Sequence, residues 1–356
     1  MEAFTYVDNP SRVIFGLGRI SSLPDEIDHL GAKRILFCCT PGQKERVEQI
    51  AEISGDLSTI VCPIANAVVS QELVTEGLNQ ANEFRADCLV TYGGGSALGL
   101  AKSIALELDV PIIAIVTTYS GSETTDFQGM FEDGKRVLKR SSRMQPKTII
   151  YDPELSVDLP LEVSVPSAVN SMAQAVGSFL GENTNPVTSM FAEEGLRVIR
   201  NALPRITDNP RDVDARGDAL YGSWLCGCTL NSSGPVFHHK VCHVLGGYFN
   251  LPHAITHTII LPHSTAYNRQ YSPDAMIRIA RAFGDDNGDA AGAIFDLLTE
   301  IDAPSALKDI GMSESDLDEA AKLIITDPYF SPRPVEYEPV RELLDDAWHG
   351  RRPPIN

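Results

Sequence analysis

The amino-acid sequence predicts an α/β domain with a doubly wound parallel sheet in residues 1–155, followed by an all-α domain in residues 156–356. Three observations support this fold class. Short apolar runs alternate with helix-length segments in the first half, and strand signals stop after about residue 155. The chain is also long enough, since 356 residues with 43% hydrophobic content suffice for two ordinary cores.

The strands of the first half are runs of apolar residues without polar alternation, which is typical of parallel strands buried on both faces. We predict them at residues 34–39, 58–62, 87–95, 111–118 and 146–153. Segments with helical spacing lie between them, at residues 44–54, 71–84 and 96–108. Asp133 and Gly134 stand between extended residues and predict a hairpin turn. The strand–helix alternation implies a doubly wound sheet.

The second half contains helix-length amphipathic segments separated by the usual helix-stopping residues, Pro, Gly, Asn and Asp. We predict helices at residues 166–180, 186–203, 214–230, 273–284 and 289–301. The sequence has no internal repeat and no low-complexity linker. We therefore expect the two domains to pack closely around a cleft.

Composition excludes several classes of function. The net charge of −19 argues against a nucleic-acid partner, although a small anionic substrate remains compatible with it because surface charges are screened. Apolar tracts are too short to span a membrane. The acidic start "MEAFTYVDNP" lacks the features of a signal peptide, and the seven cysteines show no paired spacing. We expect a cytoplasmic protein with reduced thiols.

Two glycine- and hydroxyl-rich loops follow predicted strands. The segment "TYGGGSALGLAK" (91–102) joins a strand to a helix through three glycines, and "TTYSGSETT" (117–125) follows the next strand. Glycines let a phosphate approach the backbone, and a helix N-terminus offers free N–H donors. The first loop alone also fits a tight strand-to-helix turn, but two such loops predict a Rossmann-like dinucleotide-binding domain. The predicted cofactor contacts are Gly93, Gly94, Gly95, Ser96, Thr117, Thr118 and Ser122.

The residues that follow the predicted strand at 34–39 bear on cofactor choice. An acidic residue after the second strand of a dinucleotide fold bonds the adenosine ribose and repels a 2′-phosphate. Here the strand at 34–39 runs into Thr40 and Pro41, with no Asp or Glu at its end. We predict that both NADH and NADPH are used, with less than about a tenfold preference.

Six of the eight histidines lie between residues 238 and 263. Imidazole both binds metals and transfers protons at neutral pH, so either role is open. His239 and His243 are four residues apart and share a helix face, and His253 follows Pro252 after a break. A lone histidine is usually a core or surface residue, which stays the default for His263 and is reasonable for His257.

The segments "GGGSALGLAK", "TTYSGSETT" and "HHKVCHVLGGYFNLPHAITHTIILPH" resemble the iron-containing (group III) alcohol dehydrogenase family, and within it the maleylacetate reductase branch. The resemblance spans nearly the whole chain, and the histidine block is its most specific part. It implies NAD(P)-dependent hydride transfer in a cleft between a Rossmann-like domain and a helical domain, usually in a homodimer.

The resemblance also bears on the metal. The wider family holds its metal with an Asp and with a His four residues later, and these positions correspond to Asn170 and Gln174. The other two ligand positions are retained as His239 and His253. Because the only anionic ligand is lost, we predict that no metal is bound and that the histidines serve proton transfer and substrate binding.

Other departures indicate the branch. Gly99 replaces the Asp of the family's glycine-loop motif, the doublet at His238 and His239 is present, and residues 252–257 read PHAITH. All three features resemble maleylacetate reductases. A family lysine near the nicotinamide ribose corresponds to Lys139, with Lys135 as the alternative.

The branch implies reduction of the conjugated C=C bond of maleylacetate to 3-oxoadipate in aromatic-compound catabolism. Hydride addition would leave an enolate, which an imidazole can stabilise and protonate. We predict that His243 donates this proton, with His239 and His253 beside it. Lys240 is expected to point off that helix face, so it either contacts a substrate carboxylate or is a surface lysine. The predicted contacts to the small dicarboxylate are Tyr119, His238, Lys240 and Asn170.

Three other functions are weighed against this one. The first is an alcohol dehydrogenase that acts on a small carbonyl compound and has lost its metal site. The second is a lyase like dehydroquinate synthase, which needs a complete metal set and a more basic phosphate pocket than this sequence offers. The third is a non-catalytic nucleotide-binding protein, and six clustered histidines count against it.

Overall fold

The computed structural model describes residues 4, 6, 11–66, 69–132 and 135–355, with the backbone alone for residues 131, 132 and 135–137. The described residues fall into two compact units, an N-terminal unit of residues 11–159 and a C-terminal unit of residues 160–355, to which residues 4 and 6 also belong.

The described part of the N-terminal unit forms eight strands. They are β1 (Arg12–Phe15), β2 (Arg34–Cys38), β3 (Ser58–Cys62), β4 (Cys88–Gly93), β5 (Ile112–Val116), β6 (Phe127–Glu132), β7 (Lys135–Arg140) and β8 (Thr148–Tyr151). Six of them pair in parallel in the order β1-β8-β5-β4-β2-β3, and β6 and β7 form a separate antiparallel pair. The chain crosses from one side of β2 to the other between β3 and β4, which is where open α/β sheets bind ligands.

Four helices connect these strands: α1 (Leu23–His29), α2 (Lys44–Glu52), α3 (Gln71–Phe84) and α4 (Gly95–Leu108). Helix α3 begins after Ser70, whose hydroxyl accepts the Leu73 amide, and it ends at Arg85 in the left-handed conformation. One core face joins Phe37 of β2 and Val90 of β4 to Ile27 of α1, all fully buried. Burial of a side chain of this size stabilises a fold by roughly 1.5–3 kcal/mol.

The structure confirms the five predicted parallel strands and the three predicted helices of this unit to within a few residues. It also shows the two strands of the predicted hairpin, whereas Asp133 and Gly134 at its turn lie outside the described residues. Strand β1 and helix α1 escaped prediction. With 4 and 7 residues, they are too short for a periodic signal.

The described part of the C-terminal unit is helical, as predicted. Its α-helices are α5 (Leu161–Leu180), α6 (Pro186–Asp208), α7 (Val213–Ser233), α8 (Phe237–Tyr248), α9 (His253–Asn268), α10 (Pro273–Ala282), α11 (Ala290–Glu300), α12 (Leu317–Ile325) and α13 (Tyr337–His349). One core cluster joins four of them, with Val241 of α8, Ile260 of α9, Ala320 of α12 and Leu344 of α13 fully buried.

Helices α5, α6, α7, α10 and α11 confirm the five predicted segments, whereas α9, α12 and α13 were not predicted. Helix α9 contains Pro262 and several β-branched residues, which weaken the local helix signal. It is stabilised instead by burial of Ile259 and Ile260 in the core.

Two predictions from composition, on membrane spans and on cysteines, can be compared with the structure. No helix in the described ranges is long and apolar enough to cross a membrane. All seven cysteines lie in described residues, none forms a disulfide, and six are buried. This agrees with the interpretation of the cysteines as reduced core thiols.

Candidate functional site

The two predicted nucleotide-binding loops lie side by side in the N-terminal unit. Strands β4 and β5 are neighbours, with Gly93 paired to Val116, and the Thr117 amide donates to the Gly93 carbonyl over 3.1 Å. The loops that follow these strands therefore begin at the same edge of the sheet. Gly93 has a φ of 141°, a conformation that favours glycine.

Gly94 precedes helix α4 and has no room for a side chain. A Cβ there would lie 2.3 Å from Oγ1 of Thr118, whose hydroxyl is buried and has no hydrogen-bond partner within the described ranges. No side chain caps the N-terminus of α4, where Gly95 and Ser96 form the first turn. Free amides at a helix start, reached over bare glycine backbone, fit the pyrophosphate of a dinucleotide.

Lys102 of α4 fixes the second loop. Its buried Nζ donates to the carbonyls of Ser122 (2.8 Å) and Thr125 (2.7 Å) and to the Thr125 hydroxyl (2.8 Å). Ser122 is thereby held near the start of the helix, since its Oγ lies 3.7 Å from the position of a Cβ on Gly95. Lys102 is therefore a residue of this loop that sequence reasoning missed.

Burial governs the charges around this loop. It lowers the pKa of Lys102 to about 7, against the opposing attraction of Glu123 and Asp126. It raises the pKa of Glu123, although a 2.6 Å hydrogen bond from the Tyr151 hydroxyl favours the carboxylate. The loop is thus held by buried polar bonds inside the N-terminal unit.

The remaining cofactor predictions fall on loops and on the hairpin. Thr40 and Pro41 follow β2 as predicted, with Pro41 exposed. Lys139 lies on β7 opposite Gln128, and the side chain of Lys135 is outside the described residues. Gln128 and Val69 leave little room at position 99, because a Cβ on Gly99 would lie 2.9 Å from the Gln128 amide nitrogen and 2.9 Å from Cγ2 of Val69.

The histidines form one cluster in the C-terminal unit, carried by α8 and α9. The rings of His243 and His253 stack with centroids 6.2 Å apart, and His253 packs edge-on against His257 at 4.5 Å. His239 lies 6.4 Å from His243 and 5.7 Å from His257. His239 and His257 are buried, His243 is half-buried and His253 is exposed. The structure thus brings together the three residues predicted to be catalytic.

His239 is held by the start of its own helix. The backbone amide of Val236 donates to its Nδ1 over 3.2 Å, so the proton of the neutral ring is on Nε2. Its ring lies against Gly177 of α5, where a Cβ would come within 3.4 Å of its Cε1. Gly177 is therefore a residue of the site that sequence reasoning missed.

The His238 side chain is buried and points into the C-terminal unit. Its Nδ1 lies 2.8 Å from the Ser264 hydroxyl, and its Nε2 lies 2.9 Å from Nδ1 of His257 and 3.6 Å from the Cys242 sulfur. Both ring nitrogens are thus engaged inside the unit. The prediction that His238 contacts the substrate directly is therefore corrected to a supporting role, and His257 proves to be part of the cluster.

Tyr329 is the second residue that sequence reasoning missed. Its hydroxyl lies 3.2 Å from Nδ1 of His243, and the Lys240 ammonium lies 5.8 Å from the centre of its ring. The loop that carries it is bound to the start of α8, since the Phe237 amide donates to the Phe330 carbonyl over 2.9 Å. Lys240 is half-buried beside this tyrosine rather than fully on the surface.

The remaining predicted residues belong to both units. Asn170 and Gln174 lie one turn apart on α5, half-buried and buried respectively, one turn before Gly177. Tyr119 lies in the N-terminal unit and is fully buried. His263 packs against Phe295 in the core, as its default interpretation expects.

The residues at the family's metal positions do not fit a divalent ion. A metal-bound imidazole donates through its second nitrogen, but Nδ1 of His239 accepts an amide proton, so its Nε2–H cannot ligate. Asn170 and Gln174 offer neutral amides in place of a carboxylate and an imidazole, and no anion remains to balance a dication.

A second group of potential ligands lies next to these positions. Within the described residues, His238, Cys242 and His257 place their ligand atoms within 4.8 Å of one another. The 2.9 Å separation between the two ring nitrogens is that of a hydrogen bond, and burial raises the pKa of the Cys242 thiol, which keeps it protonated. In the structure, hydrogen-bond contacts therefore connect these three side chains to one another.

A parallel sheet with glycine loops, followed by a helical unit with a histidine cluster, is the arrangement of a family of oxidoreductases that the sequence matches. The sequence matches the family descriptions "Iron-containing alcohol dehydrogenase" over residues 10–153 and "Fe-containing alcohol dehydrogenase family, C-terminal" over residues 164–348. The chain belongs to the iron-containing alcohol dehydrogenase family.

Several relatives match along their whole length. The maleylacetate reductase of Burkholderia cepacia is 44% identical over 353 residues, 99% of this chain and 100% of that one. A crystal structure of a putative alcohol dehydrogenase from Ralstonia eutropha superimposes with a TM-score of 0.96 at 48% identity, covering 99% and 100% of the two chains. That of maleylacetate reductase from Rhizobium sp. gives 0.95 at 40% identity over 99% and 100%.

Proposed function

We propose that this protein is an NAD(P)H-dependent maleylacetate reductase, which reduces the conjugated C=C bond of maleylacetate to 3-oxoadipate. The observation that carries the proposal is the histidine cluster, in which His239, His243 and His253 lie together while amides stand at the family's other two metal positions. The full-length similarity to maleylacetate reductases supports it.

The chemistry follows from the groups at each loop. The bare backbone at Gly94, the amides that start α4 and the hydroxyls of Thr118 and Ser122 would hold NAD(P)H, which supplies a hydride when bound. His243 donates a proton toward the enolate oxygen that hydride addition creates, and general acid catalysis of this kind contributes about 10²–10⁴-fold in rate. The ring of His239 lies beside it, with the two ring centroids 6.4 Å apart.

Substrate preference tests this function. NADH and NADPH oxidation is followed with maleylacetate and, in parallel, with simple aldehydes and ketones. We expect maleylacetate to be strongly preferred. Preference for a plain carbonyl compound would favour the second candidate, an alcohol dehydrogenase, which the similarity to the Ralstonia eutropha structure supports.

We propose that the reduction does not use a metal. Two arguments support this: the proton on Nε2 of His239, and the absence of an anionic side chain at positions 170 and 174. Activity is measured after exhaustive chelation, together with metal content by elemental analysis. Stoichiometric iron or zinc, with activity lost on removal and restored on addition, would overturn the proposal.

The remaining proposals concern the cofactor and the assembly. We expect kcat/KM for NADH and NADPH to differ by less than about tenfold, since no acidic residue follows β2 at Thr40. A hundredfold bias would refute this.

We also propose a cytoplasmic homodimer; β1 is an edge strand, and Phe15 and Leu17 at its end are exposed. Light scattering that gives the mass of one chain would contradict the dimer.

A further inference from the structure

The buried side of the histidine cluster contains a chain of hydrogen bonds whose direction can be deduced. The Ser264 hydroxyl lies 3.1 Å from the Leu261 carbonyl and 2.8 Å from Nδ1 of His238. A carbonyl can only accept, so the single hydroxyl proton is directed to Leu261. Both contacts are hydrogen bonds only if Nδ1 of His238 carries a proton and donates it to the serine oxygen.

The same reasoning extends to the next ring. With its proton on Nδ1, neutral His238 has a bare Nε2, which accepts from Nδ1 of His257 over 2.9 Å and from the Cys242 thiol over 3.6 Å. His257 therefore carries its own proton on Nδ1. Its Nε2 is left as a bare lone pair.

No hydrogen-bond donor among the described residues reaches this lone pair. His257 is 1% exposed, and its Nε2 makes no hydrogen bond within the described ranges. The ring centroid of His257 lies 4.5 Å from that of His253, which packs edge-on against it, and 5.7 Å from that of His239. Buried polar atoms without a protein partner are usually satisfied by an ordered water, which needs two or more polar contacts.

We propose that Ser264, acting through His238, locks His257 as a hydrogen-bond acceptor, and that its Nε2 binds one buried water molecule beside His239 and His253. The water donates to His257 and accepts the Nε2–H of His239, whose proton is fixed by the Val236 amide. The site favours a neutral molecule that can donate and accept, and it disfavours a cation, because one of the two nitrogens carries a proton. Ser264 is a positioning residue, since it acts through two imidazoles.

The inferred water site extends the proposal of a metal-free reductase. It depends on that proposed function only for its relevance to catalysis. It places a neutral water among the histidines that stand at the family's metal positions. The tautomers themselves are properties of the resting protein and need no substrate.

The test is long-range ¹H–¹⁵N correlation NMR on the full chain with ¹⁵N-labelled histidine. We expect Nδ1–H tautomers for His238 and His257, the Nε2–H tautomer for His239, and a water cross-peak at His257. In Ser264→Ala the single tautomer of His257 should be lost, and Ser264→Thr, which keeps the hydroxyl, should retain it. The matched control is Ser178→Ala, a buried helical serine bonded to the carbonyl three residues earlier, with no histidine involved.

Several results would overturn the proposal: an Nε2–H tautomer for His257 in the wild type, no water cross-peak there, or unchanged spectra in Ser264→Ala. Titration with ZnCl₂ adds a fourth, since a stoichiometric shift of the His257 Nε2 resonance would assign the site to a metal. The wild-type spectra decide even if the alanine variant does not fold. If the tautomers are as stated but maleylacetate is not reduced, only the proposed function fails.

Discussion

The candidate sites in the two units are built from different parts of the chain. The N-terminal unit uses main-chain groups, namely the backbone of Gly93 and Gly94, the free amides of α4 and the carbonyls that Lys102 fixes. The C-terminal unit uses imidazoles that bond to other side chains. A backbone site tolerates changes of side chain and fails when one is added, whereas a side-chain site fails when one is removed and also responds to pH. Four predictions break or sharpen this contrast.

The largest expected effect is on stability in acid, in the side-chain unit. Burial lowers the pKa of His263 to about 4, although Asp346 opposes the shift. In the unfolded chain its pKa is near 6.5, so its contribution to stability is fully present above that pH and is lost as the pH falls through 4. We expect a loss of about 3 kcal/mol from this residue.

The measurement is urea denaturation of the wild type and His263→Leu between pH 7.5 and 4. As the pH falls, the unfolding free energy of the wild type should decrease more than that of the variant. Two parallel curves would show that His263 does not titrate in this way. His238 and His257, whose pKa values burial also lowers, should add to the acid sensitivity of both proteins.

Truncation of His243 tests the side-chain site itself. We expect His243→Ala to lose at least about 100-fold in kcat, about 2.7 kcal/mol, because no group replaces the proton donor. NAD(P)H affinity, measured by fluorescence, should be unchanged. The control is His29→Ala, an exposed histidine on α1. A loss in His243→Ala below tenfold would assign proton donation to another residue.

The backbone site is tested by adding a methyl group. Gly94→Ala places a Cβ 2.3 Å from the Thr118 hydroxyl, which must move the loop. We expect the Kd for NADH to rise about thirtyfold, about 2 kcal/mol, with stability little changed. Gly247→Ala, where a Cβ meets nothing within 4 Å, is the control. The double variant with Thr118→Ala should recover part of the affinity, and no recovery would rule out this clash as the cause.

The smallest effect is expected from Tyr329→Phe. Loss of the hydroxyl removes the 3.2 Å contact that orients His243. We expect about a tenfold fall in kcat, about 1.4 kcal/mol, with KM for maleylacetate within about twofold. Tyr248→Phe on the exposed end of α8 is the matched control. An equal loss in both variants would refute a specific role for Tyr329.

Local patterns in the sequence were sufficient for most of the fold. Apolar runs located the strands that became β2, β3, β4, β5 and β8, because burial on both faces demands continuous apolar residues. Helical spacing located α3 without error, and the four-residue spacing of His239 and His243 placed both on one helix. The glycines at 93–95 and the density of histidines were visible because each is a local feature.

Tertiary structure alone decided which of these side chains meet. Tyr329 reaches His243 across 86 residues, Lys102 reaches the Thr125 carbonyl across 23, and Ser264 reaches His238 across 26. Such bonds are set by how helices and loops pack, and they leave no periodic trace in the chain. The same holds for His238 and His257, whose residue type was plain in the sequence, whereas their tautomers and lowered pKa values follow from burial and partners.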